Sequence, residues 1–300
     1  MVLPFKTVFI VNPKAGGGRA LRVWGMLESM LRDAGQSYQV YYTRFRGDAT
    51  SIAEKARSNG AELVVGVGGD GTLLEVVNGL DLKKNILGII PAGTGNGFRR
   101  SLKIPGNCRK AFLEMAKWEP HRVDIGTLNG IRFLNVAGLG FDAVVTQFAK
   151  ADDQKLPGYS AYVAGFLKEL ASFGSFPTKV KDMENGKTIT EAKTFIVLVA
   201  NGRYYGGQLC VAPHANVMDG QLDLMVVRRM NYLETASLTL KAFFKKHLGH
   251  SAIYTSPCRE ITISAAENIP VHIDGELMGS LPAKIHIHPA ALYVLTPPLS

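Results

Sequence analysis

Gly68-Gly69-Asp70-Gly71-Thr72 is the stretch of this chain best suited to chemistry. It places three glycines around one carboxylate, after the apolar run Leu63-Val64-Val65-Gly66-Val67 and before Leu73-Leu74-Glu75-Val76-Val77-Asn78-Gly79. That order predicts a buried strand, a bare-backbone turn and the first turns of a helix. With no Cβ in the way, a phosphate chain can lie against main-chain N–H groups, and the helix N-terminus adds favourable partial charge. A nucleoside triphosphate fits such a cradle. Gly66, Gly68 and Gly71 also satisfy G-x-G-x-x-G, but the acidic residue expected about 20 positions later is missing from Asn85-Ile86-Leu87-Gly88-Ile89-Ile90, which argues against a dinucleotide site. The competing reading is a tight strand-to-helix turn with no ligand, and the neighbouring motifs decide between them.

Four further stretches carry reactive or polar groups. Pro91-Ala92-Gly93-Thr94-Gly95-Asn96-Gly97-Phe98-Arg99-Arg100 is a second glycine-rich turn with two arginines, and Asn12-Pro13-Lys14-Ala15-Gly16-Gly17-Gly18-Arg19 is a flexible basic loop. Lys14 and Arg19 could bring positive charge to a phosphate or could be solvated loop cations. Read without any other information, Asp274-Gly275-Glu276 is a hairpin turn, and Asp219-Gly220 is a turn leading into Leu222-Asp223-Leu224.

The elements that must position these loops alternate. Residues 7–11, 38–43, 63–67 and 85–90 read as strands, with helices near residues 20–34 and 48–58 between the first three. A β-α-β-α-β order argues for a parallel sheet covered by helices, with ligands bound where the strands end. Asn107 starts another helix through about residue 118, which Glu119-Pro120 ends.

After His121 the texture changes. Asn129-Gly130 and Asn185-Gly186 are hairpin signals, and residues 123–128, 131–136, 195–200, 222–227, 259–264, 270–274, 283–288 and 291–295 read as strands. The second half is therefore expected to be a β-sandwich. Two helices are expected within it. One spans residues 159–173, with Tyr162, Phe166 and Leu170 facing a core or, alternatively, a membrane; the other spans residues 232–248, opened by Asn231 and Glu234 in a capping-box spacing. The division is expected as an α/β domain over 1–122 and a β-sandwich domain over 123–300, with the extreme C-terminus packing back on the first domain.

Composition suits this plan. The 300 residues, 46% hydrophobic and 20% charged, are enough for two cores. A net charge of +9 suits nucleoside phosphates or an anionic membrane surface, while no paired aromatic and basic motif supports nucleic-acid binding. Three widely spaced cysteines without C-x-x-C indicate neither a disulfide framework nor a zinc site. The first residues lack signal-peptide character, and no apolar run reaches the roughly 18 to 20 residues of a membrane span. The expected location is a reducing compartment such as the cytoplasm, with the chain either soluble or peripheral to the membrane.

Taken together, the motifs resemble the diacylglycerol kinase catalytic family, the group of bacterial lipid kinases and sphingosine kinases. The resemblance rests on Val11-Asn12-Pro13-Lys14-Ala15-Gly16-Gly17, Gly68-Gly69-Asp70-Gly71-Thr72, Pro91-Ala92-Gly93-Thr94-Gly95-Asn96, Phe133-Leu134-Asn135-Val136-Ala137-Gly138-Leu139-Gly140-Phe141-Asp142 and the stretch 206–223. It implies an N-terminal domain similar to phosphofructokinase and NAD kinase, a C-terminal β-sandwich with inserted helices, and an active site between the two domains. It further implies ATP contacts at Asn12, Lys14, Thr43, Gly68, Gly69, Asp70, Gly71, Thr72, Leu73, Leu74 and Thr94. The family's proton acceptor falls on Glu276. Asp70 is the competing base, or a carboxylate that helps to hold catalytic Mg²⁺.

By the same resemblance Asp219 offers a carboxylate, and Asn216 and Gln221 offer backbone carbonyls, to a second metal ion with a structural or regulatory role. Bacterial members usually carry an acidic residue where this chain has Gly97, whereas sphingosine-kinase-like relatives often carry a small one, so the resemblance implies a lipid acceptor without naming it. The implied activity is transfer of the γ-phosphate of ATP to a lipid hydroxyl such as that of diacylglycerol or a sphingoid base, at an anionic membrane surface, with a homodimer left open. A soluble NAD or sugar kinase and a non-catalytic nucleotide- or lipid-binding module are the alternatives.

Overall fold

The computed structural model describes residues 3–149, 173–205, 209–243 and 246–298. It divides into two compact units, Met1–Ile125 with Pro289–Ser300, and Gly126–His288.

In the first unit, β1 (Thr7–Val11), α1 (Ala15–Asp33), β2 (Gln39–Tyr42), α2 (Asp48–Ser58), β3 (Leu63–Gly68), α3 (Asp70–Gly79) and β4 (Ile86–Pro91) alternate along the chain. The strands are ordered β2-β1-β3-β4 and all run parallel, with Val8 to Val11 in register with Val64 to Val67 and these with Leu87 to Ile90. β1, β3 and β4 are buried on both faces, which favours the apolar runs seen in the sequence, whereas the edge strand β2 is exposed at both ends. Each crossover helix covers a face: Trp24, Leu27 and Leu31 of α1 lie on one side of that helix and pack with Phe9, the Phe9 and Trp24 rings lying 4.9 Å apart. Gly16, Gly17 and Gly18 all have positive φ, so regular helix starts only at Arg19, close to the expected start at residue 20. The short α4 (Gly97–Ser101) and α5 (Cys108–Met115) follow, and the Asn107 side chain caps α5 by accepting the Lys110 amide at 2.9 Å. Helix stops at Met115, and Glu119-Pro120, expected to end a helix, instead opens the strand β5 (Glu119–Leu128).

The second unit is antiparallel. β5 turns at Asn129-Gly130, both at positive φ, into β6 (Ile131–Phe133). There follow β7 (Val136–Gly140), α6 (Phe141–Ala149), β8 (Phe176–Asp182), β9 (Thr188–Thr194), β10 (Ile196–Ala200), β11 (Tyr204–Tyr205), β12 (Leu209–Cys210), β13 (Leu222–Val227), α7 (Tyr232–Phe243), β14 (Ile253–Cys258), β15 (Glu260–Ser264), β16 (Pro270–Ile273), β17 (Glu276–Ser280) and β18 (Ala283–Thr296). One sheet runs β14-β13-β10-β7-β16-β17; the other joins β9, β8, β15 and the first part of β18. Later in its course, β18 passes into the first unit, where Tyr293 and Val294 pair in parallel with Ile86 and Leu87 of β4.

The second unit differs from the sequence reading in further details, and the strand expected over 131–136 is two, β6 and β7. Residues 283–288 and 291–295 form one strand, β18, because the chain continues through Pro289 and a left-handed Ala290 whose amide is taken by Asp124 Oδ1 at 2.6 Å. Helix α6 follows β7 directly, where no helix was expected. Helix α7 does open with the capping box, Asn231 Oδ1 accepting the Glu234 amide and Glu234 Oε2 the Asn231 amide; it is described over Tyr232–Phe243, and residues 246–248, expected to be helical, are not. The helix expected over 159–173 lies almost wholly outside the described residues. No helix among the described residues is long and apolar enough to cross a membrane.

Candidate active site

Four loops of the first unit follow the C-terminal ends of its parallel strands, and hydrogen bonds join them. The Asn12 amide donates to Val67 O at 3.1 Å, and its side-chain Nδ2 to Thr72 Oγ1 at 3.0 Å, tying the loop after β1 to the turn after β3. Thr43, just past β2, donates its amide to Val11 O at 2.9 Å. The turn after β4 comes closest to the turn after β3 at two glycines, Gly93 and Gly69. A Cβ on Gly69 would lie 3.1 Å from Gly93 Cα, and a Cβ on Gly93 would collide with Gly69 Cα. Gly93 is therefore required by this close approach, and Gly69 leaves room for a methyl group only if its neighbour shifts by a few tenths of an ångström.

Asp70 occupies the first position of α3, and its carboxylate is not idle. Oδ2 accepts the Gly97 amide at 2.9 Å and Oδ1 the Phe98 amide at 3.1 Å, so Asp70 caps α4 across the gap between the two turns. Each oxygen keeps a further lone pair for a cation or a hydroxyl. Arg99 lies beside it. Burial and the neighbouring Arg100 charge pull Arg99 below the ordinary arginine value, while Asp70 opposes the shift. The structure sorts the two candidate loop cations: Lys14 is exposed, whereas Arg19 reaches the Pro91 carbonyl at 2.9 Å and ties the start of α1 to the end of β4.

Of the remaining nucleotide candidates, Thr94 is exposed at the tip of its turn and Gly71 is half-buried. Leu73 and Leu74 point into the core at 2% and 3% exposure, so only their main chain could touch a ligand, and the Leu73 amide already donates to Gly69 O at 3.1 Å. Sequence reasoning missed Glu75. Its two carboxylate oxygens take the Gly47 and Ala49 amides at 2.8 and 3.1 Å, holding the N-terminus of α2 and, with it, the loop that starts at Thr43.

In the second unit Glu276 is the first residue of β17, half-buried, and Cα-paired with Ile273 across the Asp274-Gly275 turn. That turn has φ 48° and 82°, the left-handed pair that Asp-Gly supplies at low cost. Asp274 does more than turn the chain. Its carboxylate accepts three amides, from Leu134 at 2.7 Å, Asn135 at 2.8 Å and Val136 at 2.9 Å, a role without local signal in the sequence.

The stretch 216–221 is a self-bonded turn: Asp219 Oδ1 accepts the Gln221 amide at 3.0 Å and Asn216 O accepts the Asp219 amide at 3.4 Å. Burial and the Asp219 charge push the Asp223 carboxyl above its ordinary value, so two carboxyl groups repel one another here. Hard oxygens beside concentrated negative charge suit Mg²⁺ in kind. Among the described residues, however, no three His, Cys, Asp or Glu side chains converge as a metal cluster, so carbonyl oxygens would have to supply much of the shell.

Residues 6–128 match the diacylglycerol kinase catalytic domain, and residues 135–296 match the YegS C-terminal NAD kinase beta sandwich-like domain. A diacylglycerol kinase of Bacillus subtilis (strain 168) is 31% identical over 93% of this chain and 94% of its own length; one of Staphylococcus carnosus (strain TM300) is 28% identical over 91% and 89%. The crystal structure of a diacylglycerol kinase from Bacillus anthracis str. Sterne superposes with a TM-score of 0.73 at 26% identity over 98% of each chain. The parallel unit with its glycine-rich strand ends and the antiparallel unit carrying Asp274-Gly275-Glu276 thus place the chain in the diacylglycerol kinase family of ATP-dependent lipid kinases.

Proposed function

We propose that this chain phosphorylates the free hydroxyl of diacylglycerol, with Glu276 as the proton acceptor. The observation that carries the nucleotide half is the joining of the strand-end loops by Asn12–Thr72, Gly69–Gly93 and Asp70–Gly97, which lines main-chain N–H groups and hydroxyls beside one carboxylate. The names of the similar kinases support the acceptor.

A lipid hydroxyl is a poor nucleophile. As its oxygen bonds to the γ-phosphorus and the bond from that phosphorus to the β–γ bridging oxygen breaks, its proton passes to Glu276 and ADP leaves. Asn12, Thr43, the Gly68-to-Thr72 turn and Thr94 orient ATP, while Lys14 adds positive charge near the phosphates. Mg²⁺, when bound, neutralises charge on the phosphate oxygens, and Asp70 is the carboxylate this chain would offer it. A second ion at Asn216, Asp219 and Gln221 would brace the turn before β13 and take no part in transfer. The acceptor is a membrane component, and the net charge of +9 suits work at an anionic surface.

The test is transfer of labelled phosphate from ATP to diacylglycerol, a sphingoid base, monoacylglycerol, phosphatidylglycerol and soluble alcohols presented in turn. Product with diacylglycerol is expected. Product only with the sphingoid base would replace the acceptor, and product only with NAD or a sugar would overturn the lipid reading. Glu276→Gln is expected to bind ATP normally and lose at least about 100-fold in turnover.

A further inference from the structure

A buried imidazole lies on β16 just before the turn that presents Glu276. His272 has no exposed surface; its Nε2 is 2.8 Å from Asp142 Oδ2, and its Nδ1 is 3.4 Å from the Gly275 amide. The carboxylate can only accept, so it selects the ring form with the proton on Nε2 and leaves the Nδ1 lone pair for the Gly275 N–H.

The ring is held in its own plane as well. Tyr205 stacks on it with centroids 5.0 Å and planes 14° apart. The Tyr205 hydroxyl meets Thr146 Oγ1 at 2.8 Å, and Thr146 donates to the carbonyl of Asp142 at 2.8 Å, so stacking partner and carboxylate belong to one network. On β7, Gly138 pairs with His272, and a Cβ there would collide with both Asp142 Oδ2 and His272 Nε2. The missing side chain makes room for the pair.

We propose that His272 is a positioning residue for phosphoryl transfer, linking the Gly275 amide through Asp142 to helix α6 and so fixing the turn that aims Glu276. This inference rests on Glu276 being the proton acceptor. The turn is gripped from two sides, Asp274 by the 134–136 amides and Gly275 by His272, and Glu276 follows immediately. A carboxylate that must meet a hydroxyl within hydrogen-bond reach tolerates little displacement. The proposed ATP contacts all lie on loops of the first unit, so loosening the turn should act on turnover and spare nucleotide affinity.

Two near-isosteric variants separate the contacts. In His272→Gln the amide nitrogen can still reach Asp142 but nothing accepts the Gly275 N–H; in His272→Asn the amide oxygen takes the place of Nδ1. The expected result is a fall in kcat of about 10- to 100-fold for His272→Gln with KM for ATP unchanged, and recovery of most of that loss in His272→Asn. In the wild-type enzyme, ¹⁵N spectra of labelled histidine should show the His272 proton on Nε2. A proton on Nδ1, an unaltered kcat in His272→Gln, or His272→Asn falling as far as His272→Gln would each overturn the proposal. Glu276→Gln is measured alongside: near-normal turnover there overturns the reading beneath, whereas an inactive Glu276→Gln beside a fully active His272→Gln overturns the positioning role alone.

Discussion

Asp70 and Gly97, 27 residues apart, are joined by a 2.9 Å hydrogen bond from the Gly97 amide to the Asp70 carboxylate, with the Phe98 amide on the other oxygen at 3.1 Å. One side chain therefore begins helix α3, caps helix α4 and is the carboxylate proposed to face the nucleotide. At position 97 the main chain, not a side chain, faces Asp70. Replacing Asp70 with alanine should cost about 1–2 kcal/mol of stability, from the lost cap, and abolish kinase activity. Asp70→Asn, which can accept only one of the two amides, should keep part of the stability and none of the activity. Urea midpoints and phosphate transfer measured on both variants check this; full stability in Asp70→Ala would rule out the cap.

The Gly69–Gly93 contact makes a graded prediction. A methyl group on Gly69 meets Gly93 Cα at 3.1 Å, a squeeze that a small shift relieves, whereas a methyl group on Gly93 collides with the Gly69 main chain. Gly93→Ala should therefore raise KM for ATP more than Gly69→Ala does, because it forces the two turns apart. Equal effects would mean that the turns move freely.

The parallel half was legible because β1, β3 and β4 are largely continuous apolar runs that end at or just before Asn12, Gly68 and the Pro91-Ala92-Gly93 turn, and its second helix was read at its observed bounds, Asp48–Ser58. Both glycine-rich turns were visible for the same reason. What stayed hidden is long-range. Asp274 reaches amides about 140 residues away, Glu75 reaches back to Gly47, and Asp70 reaches forward to Gly97; a carboxylate bonded to main-chain N–H leaves no pattern in the residues it contacts. Helix α6 was missed because Phe141-Asp142-Ala143 continues an apolar strand with only Gly140 between them.

Asp274 should be the more structural of the two acids in its turn. Deleting its carboxylate leaves three amides, from Leu134, Asn135 and Val136, without their acceptor, at a cost of about 3 kcal/mol or more. Asp274→Ala should thus lower the urea midpoint sharply, while Glu276→Gln leaves it nearly unchanged and removes activity. A stable Asp274→Ala protein would show that water satisfies those amides.

His247 predicts how stability follows pH. Its ring is 3% exposed, with Nε2–H donating to Val211 O at 2.8 Å. Burial lowers its pKa below the ordinary 6.5, and the Val211 carbonyl only partly opposes the shift. The unfolded chain therefore takes up this proton at a higher pH than the native state does. The stabilising contribution is whole above 6.5 and is lost as pH falls from there through the depressed native value. His247→Gln, which can still donate to Val211, should flatten that part of the stability curve while leaving stability near neutral pH close to wild type. Urea midpoints taken at successive pH values for the two proteins decide it, and parallel curves would mean that His247 protonates alike in the folded and unfolded chain.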